Sequence, residues 1–264
     1  YLFDKDSSTP LWSYDTEDYV YTVAISVDGE YITVGSGDGK VYLFEKENST
    51  PIWSYTTGDN VWSVAISAEG EYIAAGSGED SDKIYLFDKD SSTPLWNYEA
   101  SNTVNSVSIS ADGEYIVAGS YDNNVYFFDK DSSTPLWSDS MVGSVYQVAI
   151  SADGEYIVAG SSYSDTKVYL FNKNSSTPLW SYYTGGNDPT SVDISADGEY
   201  IAASSENGDI FFLVHLPVRT KIIISETPSL YGSSVDLSWN LDSSYSSNIT
   251  KFEWFVDDTE YNNL

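Results

Sequence analysis

Carboxylates recur in pairs along this chain: Asp4 and Asp6, Glu45 and Glu47, Asp88 and Asp90, Asp129 and Asp131. Alternate carboxylates in a turn are calcium chemistry only when backbone carbonyls complete a shell of about six to eight oxygens. The fifth copy carries Asn172 and Asn174, and no copy has the extended ligand set of an EF-hand loop. The expectation is therefore a solvated turn with Lys between its acids, and no metal site. Glycoside hydrolysis needs two facing carboxylates about 5–10 Å apart, and nothing singles out such a pair among 41 acidic residues. Ser–His–Asp chemistry needs a histidine placed among its partners; the sole histidine, His215, stands outside the repeated pattern. Cysteine is absent, which removes disulfides, thiolate metal ligands and cysteine nucleophiles. No catalytic residue is assigned on these grounds.

Two other residue sets carry chemistry. Asn48, Asn174 and Asn248 each open an Asn-x-Ser/Thr triplet, the acceptor pattern for glycosylation. Tyr21, Trp62, Asn105 and Tyr146, with Thr190 as a fifth copy, each occupy the second position of a recurring apolar segment, and Tyr121 and Tyr163 stand in the variable loops. Aromatic faces in such places stack on sugar rings or on cationic groups.

The segments that must position these residues repeat. Thr-Pro-Leu/Ile-Trp places its Trp at Trp12, Trp53, Trp96, Trp137 and Trp180, and Ile-Ser-x-Asp/Glu-Gly-Glu-Tyr-Ile places its Gly at Gly29, Gly70, Gly113, Gly154 and Gly198. Tyr-Leu/Phe-Phe begins at Tyr1, Tyr42, Tyr85, Tyr126 and Tyr169, with a worn copy at Phe211. One period of about 42 residues governs all three. Each unit reads as four short strands rich in Val, Ile, Tyr, Phe and Trp; in the second they are 61–67, 72–77, 84–87 and 94–98. Asp/Glu-Gly between the first two is a hairpin signal, because Gly accepts the positive φ of a tight turn. Four strands at this period predict an all-β fold, a β-propeller whose blades bury both faces. The repeated Trp is expected to lie buried between blades as a packing wedge.

Val-x-x-Val-Ala-Ile-Ser-x-Asp-Gly-x-Tyr-Ile-x-x-Gly-Ser resembles the first half of a WD-type repeat, without that family's Gly-His and Trp-Asp dipeptides. Val-Tyr-Leu-Phe-Asp-Lys-x-Ser-Ser-Thr-Pro-Leu-Trp-Ser-Tyr resembles the pyrroloquinoline-quinone (PQQ)-like propeller repeat. The resemblance covers residues 1–216 and implies the fold, since propellers host many unrelated activities. A quinone dehydrogenase of this type would add a cofactor pocket, calcium ligands and, in most members, a vicinal cysteine pair. With no cysteine and near-identical blades, no cofactor is expected. Residues 217–264 lose the period, and their alternation resembles the opening strands of an Ig-like or PKD-like β-sandwich. Combined propeller and PKD-like modules resemble surface proteins of marine or salt-adapted archaea and bacteria.

Counting strands gives two before the first full blade, four full blades, and three strands ending at Leu213, about five blades in all. The chain opens inside a repeat, so a longer protein with more blades is expected. Its net charge of −30 argues against nucleic acid, which demands a basic face, and against an anionic membrane surface. No apolar run reaches about 18 residues, so no membrane-inserting helix is expected. Antiparallel pairing puts the near-identical Asp-Gly-Glu-Tyr and Asp-Lys-Asp-Ser-Ser-Thr-Pro turns at one end of the propeller and the variable loops at the other. A repeated scaffold with one varied end builds binding surfaces. The functional expectation is a non-enzymatic, extracellular or cell-surface scaffold that binds protein or glycan ligands at the varied end. The alternatives are a carbohydrate-active or quinoprotein-like enzyme and a purely structural envelope component. Oligomeric state is not legible.

Overall fold

The computed structural model describes residues 1–215 except residue 79. The expected sandwich at 217–264, with the Asn248 triplet, lies outside the described residues.

Twenty-one strands and no helix form the described chain, in six antiparallel sheets. Four sheets are complete blades. The first holds Val20–Ile25, Tyr31–Ser36, Lys40–Glu45 and Trp53–Thr56. The second holds Val61–Ile66, Tyr72–Ser77, Lys83–Asp88 and Trp96–Glu99. The third holds Val104–Ile109, Tyr115–Ser120, Asn124–Asp129 and Trp137–Ser140. The fourth holds Val145–Ile150, Tyr156–Ser161, Lys167–Asn172 and Trp180–Tyr183. A two-stranded opening sheet, Leu2–Phe3 with Pro10–Trp12, precedes them. A three-stranded closing sheet, Pro189–Ile194, Tyr200–Ser205 and Ile210–Val214, follows.

Strands are numbered within each blade from the inside outward, and each pairs with the next in sequence. The third strand is buried on both faces, which is why it reads as an unbroken apolar run rather than an alternation. In Lys83–Asp88 the four central residues are all buried. The core lies between sheets: Val41 and Leu43 of the first blade pack with Val61, Val64, Ile73, Tyr85 and Phe87 of the second. Each fully buried Phe or Ile there contributes about 2–3 kcal/mol.

Three sets of hydrogen bonds stitch successive blades. At the inner rim, N–H groups of Val27, Ala68, Ala111 and Ala152 donate to the carbonyls of Ala68, Ala111, Ala152 and Ala196, at 2.9–3.1 Å. Within the inner strands, the N–H groups of Val64, Val107 and Val148 donate to the hydroxyls of Thr22, Ser63 and Ser106 in the preceding blade. At the outer rim, the indole N–H groups of Trp12, Trp53, Trp96 and Trp137 donate to the carbonyls of Lys46, Lys89, Lys130 and Lys173 at 2.7–2.8 Å.

The repeated Trp is the wedge between blades that its recurrence predicts: Trp96 packs on Phe128 of the next blade and against the core there. Its polar edge reaches the carbonyl at the rim, which keeps the ring at the edge of the core. The expectation for His215 is corrected. Its N–H donates to the Glu199 carbonyl as that of Lys46 donates to Glu30, and its ring lies 4.9 Å from Tyr156 as Lys173 lies over Tyr115. It therefore occupies the position of the blade lysine. Partial burial holds its pKa below the usual imidazole range.

Candidate functional site

Every inner strand carries a β-bulge at its second residue. Val61 lies opposite Ser77 and Ser63 opposite Gly76, leaving Trp62 without a cross-strand partner. The same shift isolates Tyr21, Asn105, Tyr146 and Thr190. A bulge re-aims the extra side chain away from the sheet alternation. The five residues singled out by their position are thus the five bulge residues, at the varied end of the propeller.

The structure gathers five of the six candidates into two groups. Tyr21 stacks on Trp62 with ring centroids 4.4 Å apart, and Tyr19 extends the stack. Asp18, the Tyr21 ring and the Asn60 amide converge on Gly37, where an added Cβ would meet each at 3.2–3.4 Å. In the second group Tyr146 lies between Tyr121 at 5.2 Å and Tyr163 at 6.0 Å, and the Tyr146 and Tyr163 hydroxyls share a hydrogen bond of 3.1 Å. That bond, with the Asp188 carboxylate nearby, pushes the Tyr163 phenol pKa up. Asn105 joins neither group: its amide donates to the Val145 carbonyl. The aromatics form two platforms, and the Asn105 amide belongs to neither. The indole N–H of Trp62 is buried without an acceptor.

Acids surround the platforms. Asp82 has positive φ, and one of its carboxylate oxygens is buried without a partner. Burial raises its pKa, and Asp122, Asp59, Asp80 and Glu99 raise it further by repulsion. A carboxyl that holds its proton more tightly folded than unfolded destabilises the fold above its folded pKa, and the penalty fades as pH falls through the carboxylate range. Asp82→Asn removes the charge and suits a positive φ. It is expected to stabilise the chain by about 1 kcal/mol at pH 7. The gain over wild type should vanish near pH 3, as urea titrations at the two pH values would read; a gain equal at both would contradict the assignment.

At the opposite end the acid pairs serve the turns. The Asp6, Asp90 and Asp131 N–H groups donate to the carboxylates of Asp4, Asp88 and Asp129 at 2.8–2.9 Å. Lys5, Lys89 and Lys130 pair with the second acid of each turn. Asn172 accepts the Asn174 N–H in the same way, so the turn requires an acceptor and not a charge. Asn48 and Asn174 are exposed at this end. At this end Ile25, Ile66, Ile109, Ile150 and Ile194 of successive inner strands line an open cavity of about 290 Å³. A larger cavity, about 300 Å³, lies at the opening sheet. Neither of these two cavities is lined by the six candidates.

A quinone cofactor does not fit this donor set. Cysteine is absent, and among the described residues no three His, Asp or Glu side chains converge for a metal ion. Among the same residues no helix is long and apolar enough to cross a membrane. A family model described as outer membrane protein assembly factor BamB, built on the PQQ-like repeat, matches residues 1–109 and again 56–221. A search of curated proteins returned no match.

Proposed function

Since the chain belongs to the PQQ-like repeat family of the outer membrane protein assembly factor BamB, we propose that it is a non-enzymatic propeller scaffold of the cell envelope or surface, binding protein segments at its varied end. The observation that carries the reading is the bulge in each inner strand, which presents Tyr21, Trp62 and Tyr146 together at that end. Bulges cost ladder hydrogen bonds and recur where a side chain must be aimed. Three of the five side chains they aim are stacking faces, and the loops around them supply Asp18, Asp59, Asp122 and Asp188. Aromatic faces flanked by carboxylates favour Lys and Arg side chains. The family's description names assembly of outer membrane proteins, and a scaffold that receives polypeptide segments is consistent with it.

The stacked Tyr21–Trp62 pair also supports a neutral glycan, because a flat aromatic surface covers a sugar ring without needing charge. The two ligand classes separate by salt. A fluorescent lysine-rich peptide titrated with the chain is expected to bind in the micromolar range and to weaken several-fold from 50 to 300 mM NaCl, since screening acts on exposed charge. Binding of neutral oligosaccharides alone, insensitive to salt, would support the glycan instead. Binding of neither would leave a structural scaffold as the reading.

A further inference from the structure

Tyr146 and Tyr163 meet phenol to phenol. Their hydroxyls share a hydrogen bond of 3.1 Å, with ring centroids 6.0 Å apart and planes tilted by 54°. The backbone holds both residues in place. The carbonyl of Ser144, two residues before Tyr146, accepts both the N–H and the hydroxyl of Ser162, the residue before Tyr163. A Cβ on Gly143 would lie 1.7 Å from the Ser162 carbonyl oxygen, so the two segments run in close contact. The Tyr163 N–H donates to the Asp188 carboxylate at 2.7 Å. Its φ of 61° is one that a bulky residue adopts only when its surroundings impose it. Tyr163 is also 65% exposed, so a reagent in solvent reaches its ring.

Other tyrosine pairs of the chain are built differently. Tyr14, Tyr55 and Tyr98 lie against Tyr42, Tyr85 and Tyr126. The second member of each pair is buried, and its hydroxyl donates to Asp38, to the Thr57 carbonyl or to Asp122. Tyr19 and Tyr21 are exposed, but they stack at 6.4 Å with their planes only 28° apart. Tyr121, 5.2 Å from Tyr146, comes from the preceding blade. A reactive phenol and direct contact through the hydroxyls coincide at Tyr146 and Tyr163.

We infer that Tyr146 and Tyr163 form an oxidative modification site, joined as a dityrosine when a peroxidase uses hydrogen peroxide as the oxidant. Each phenol loses one electron and its hydroxyl proton. The two phenoxyl radicals then form a carbon–carbon bond between the ring positions next to the hydroxyls. The ring hydrogens at those positions leave as protons while the oxygens are protonated again, which restores both phenols. Two phenols and one hydrogen peroxide thus give one linked biphenol and two waters. Contact already made within the chain removes the encounter step and favours this pairing over one between chains. The bond ties the inner-strand bulge to the loop after the second strand, in a chain without cysteine to make a disulfide there. The site depends on the contact of the two phenols, whatever the varied end binds.

The test treats the full chain with a peroxidase and one equivalent of hydrogen peroxide. Expected are blue dityrosine fluorescence, a monomer lighter by two hydrogens, and a proteolytic fragment that joins Tyr146 to Tyr163. The yield should not change on about tenfold dilution of the chain, as a reaction within one molecule requires. Tyr163→Phe should lower the monomeric cross-link by at least about tenfold, because no phenoxyl forms at that ring. Tyr163 is exposed, so its replacement leaves the fold intact. Tyr183→Phe removes another exposed phenol and should leave the yield unchanged. Hydrogen exchange over residues 162–166 should slow in the cross-linked monomer, since the new bond restrains that loop. No cross-link, cross-links only between chains, a link that maps to Tyr121 or joins Tyr19 to Tyr21, or one that survives Tyr163→Phe would each overturn the inference.

Discussion

Gly113→Ala is expected to destabilise the chain by about 3–4 kcal/mol, and Gly29→Ala by only about 1–2 kcal/mol, although both replace the same glycine of the same turn. Both have φ near +75°, so both variants carry the left-handed penalty of an L-residue. Their surroundings differ. A Cβ at Gly113 would lie 2.4 Å from a ring carbon of Tyr72, which is wedged at a blade junction and cannot retreat. At Gly29 the nearest atom is 4.0 Å away. The difference between the two variants isolates the aromatic-on-glycine contact that locks blade to blade. Urea unfolding followed by tryptophan fluorescence reads both. Equal losses would mean that the turn alone requires glycine and that the contact adds nothing.

Trp62→Ala combined with Tyr146→Ala is expected to weaken binding of the lysine-rich peptide about 100-fold. Each platform contributes roughly 1–1.5 kcal/mol when a cation is held against its face. Stability should fall by no more than about 1–2 kcal/mol, because both residues are half-buried at bulges without cross-strand partners, and the Trp62 indole N–H is unsatisfied in any case. Trp62→Phe keeps a smaller aromatic face and removes the orphan donor, so it should lose no more than about tenfold in binding, far less than the double variant. A double variant that binds normally would detach the platforms from function.

The architecture was legible because each repeated motif answers a physical requirement visible in one dimension. Thr-Pro-Leu-Trp marks an outer strand, Asp-Gly-Glu-Tyr a hairpin, and their spacing fixed both the strand count and the two incomplete sheets. The Gly of Gly-Ser answers a requirement that is not local: a Cβ on Gly76 would meet Val104 of the next blade at 2.7 Å. The candidate residues were legible as a varied column in a constant frame. Why they vary was not. A bulge is a relation between two strands, and the residues of Val61–Ile66 do not state that Trp62 drops out of register with Tyr72–Ser77. Asn105 was grouped with the aromatics by position alone, and its short amide finds a backbone carbonyl instead. The acceptor of the Trp96 indole N–H was not legible for a related reason, since it is a backbone carbonyl, a group that every residue has. His215 had a readable signal. It stands four residues after Phe211, the interval that separates Tyr42 from Lys46.

The central claim is that the varied end, and not the end of repeated turns, is where this propeller meets its ligand. Hydrogen exchange of the chain with and without the lysine-rich peptide at saturation tests it most directly. The account predicts slowed exchange in residues 18–21, 59–62, 101–105 and 142–146, with the turns at 4–9, 88–93 and 129–134 unchanged. Protection confined to those turns, with the bulge segments unaffected, would contradict it.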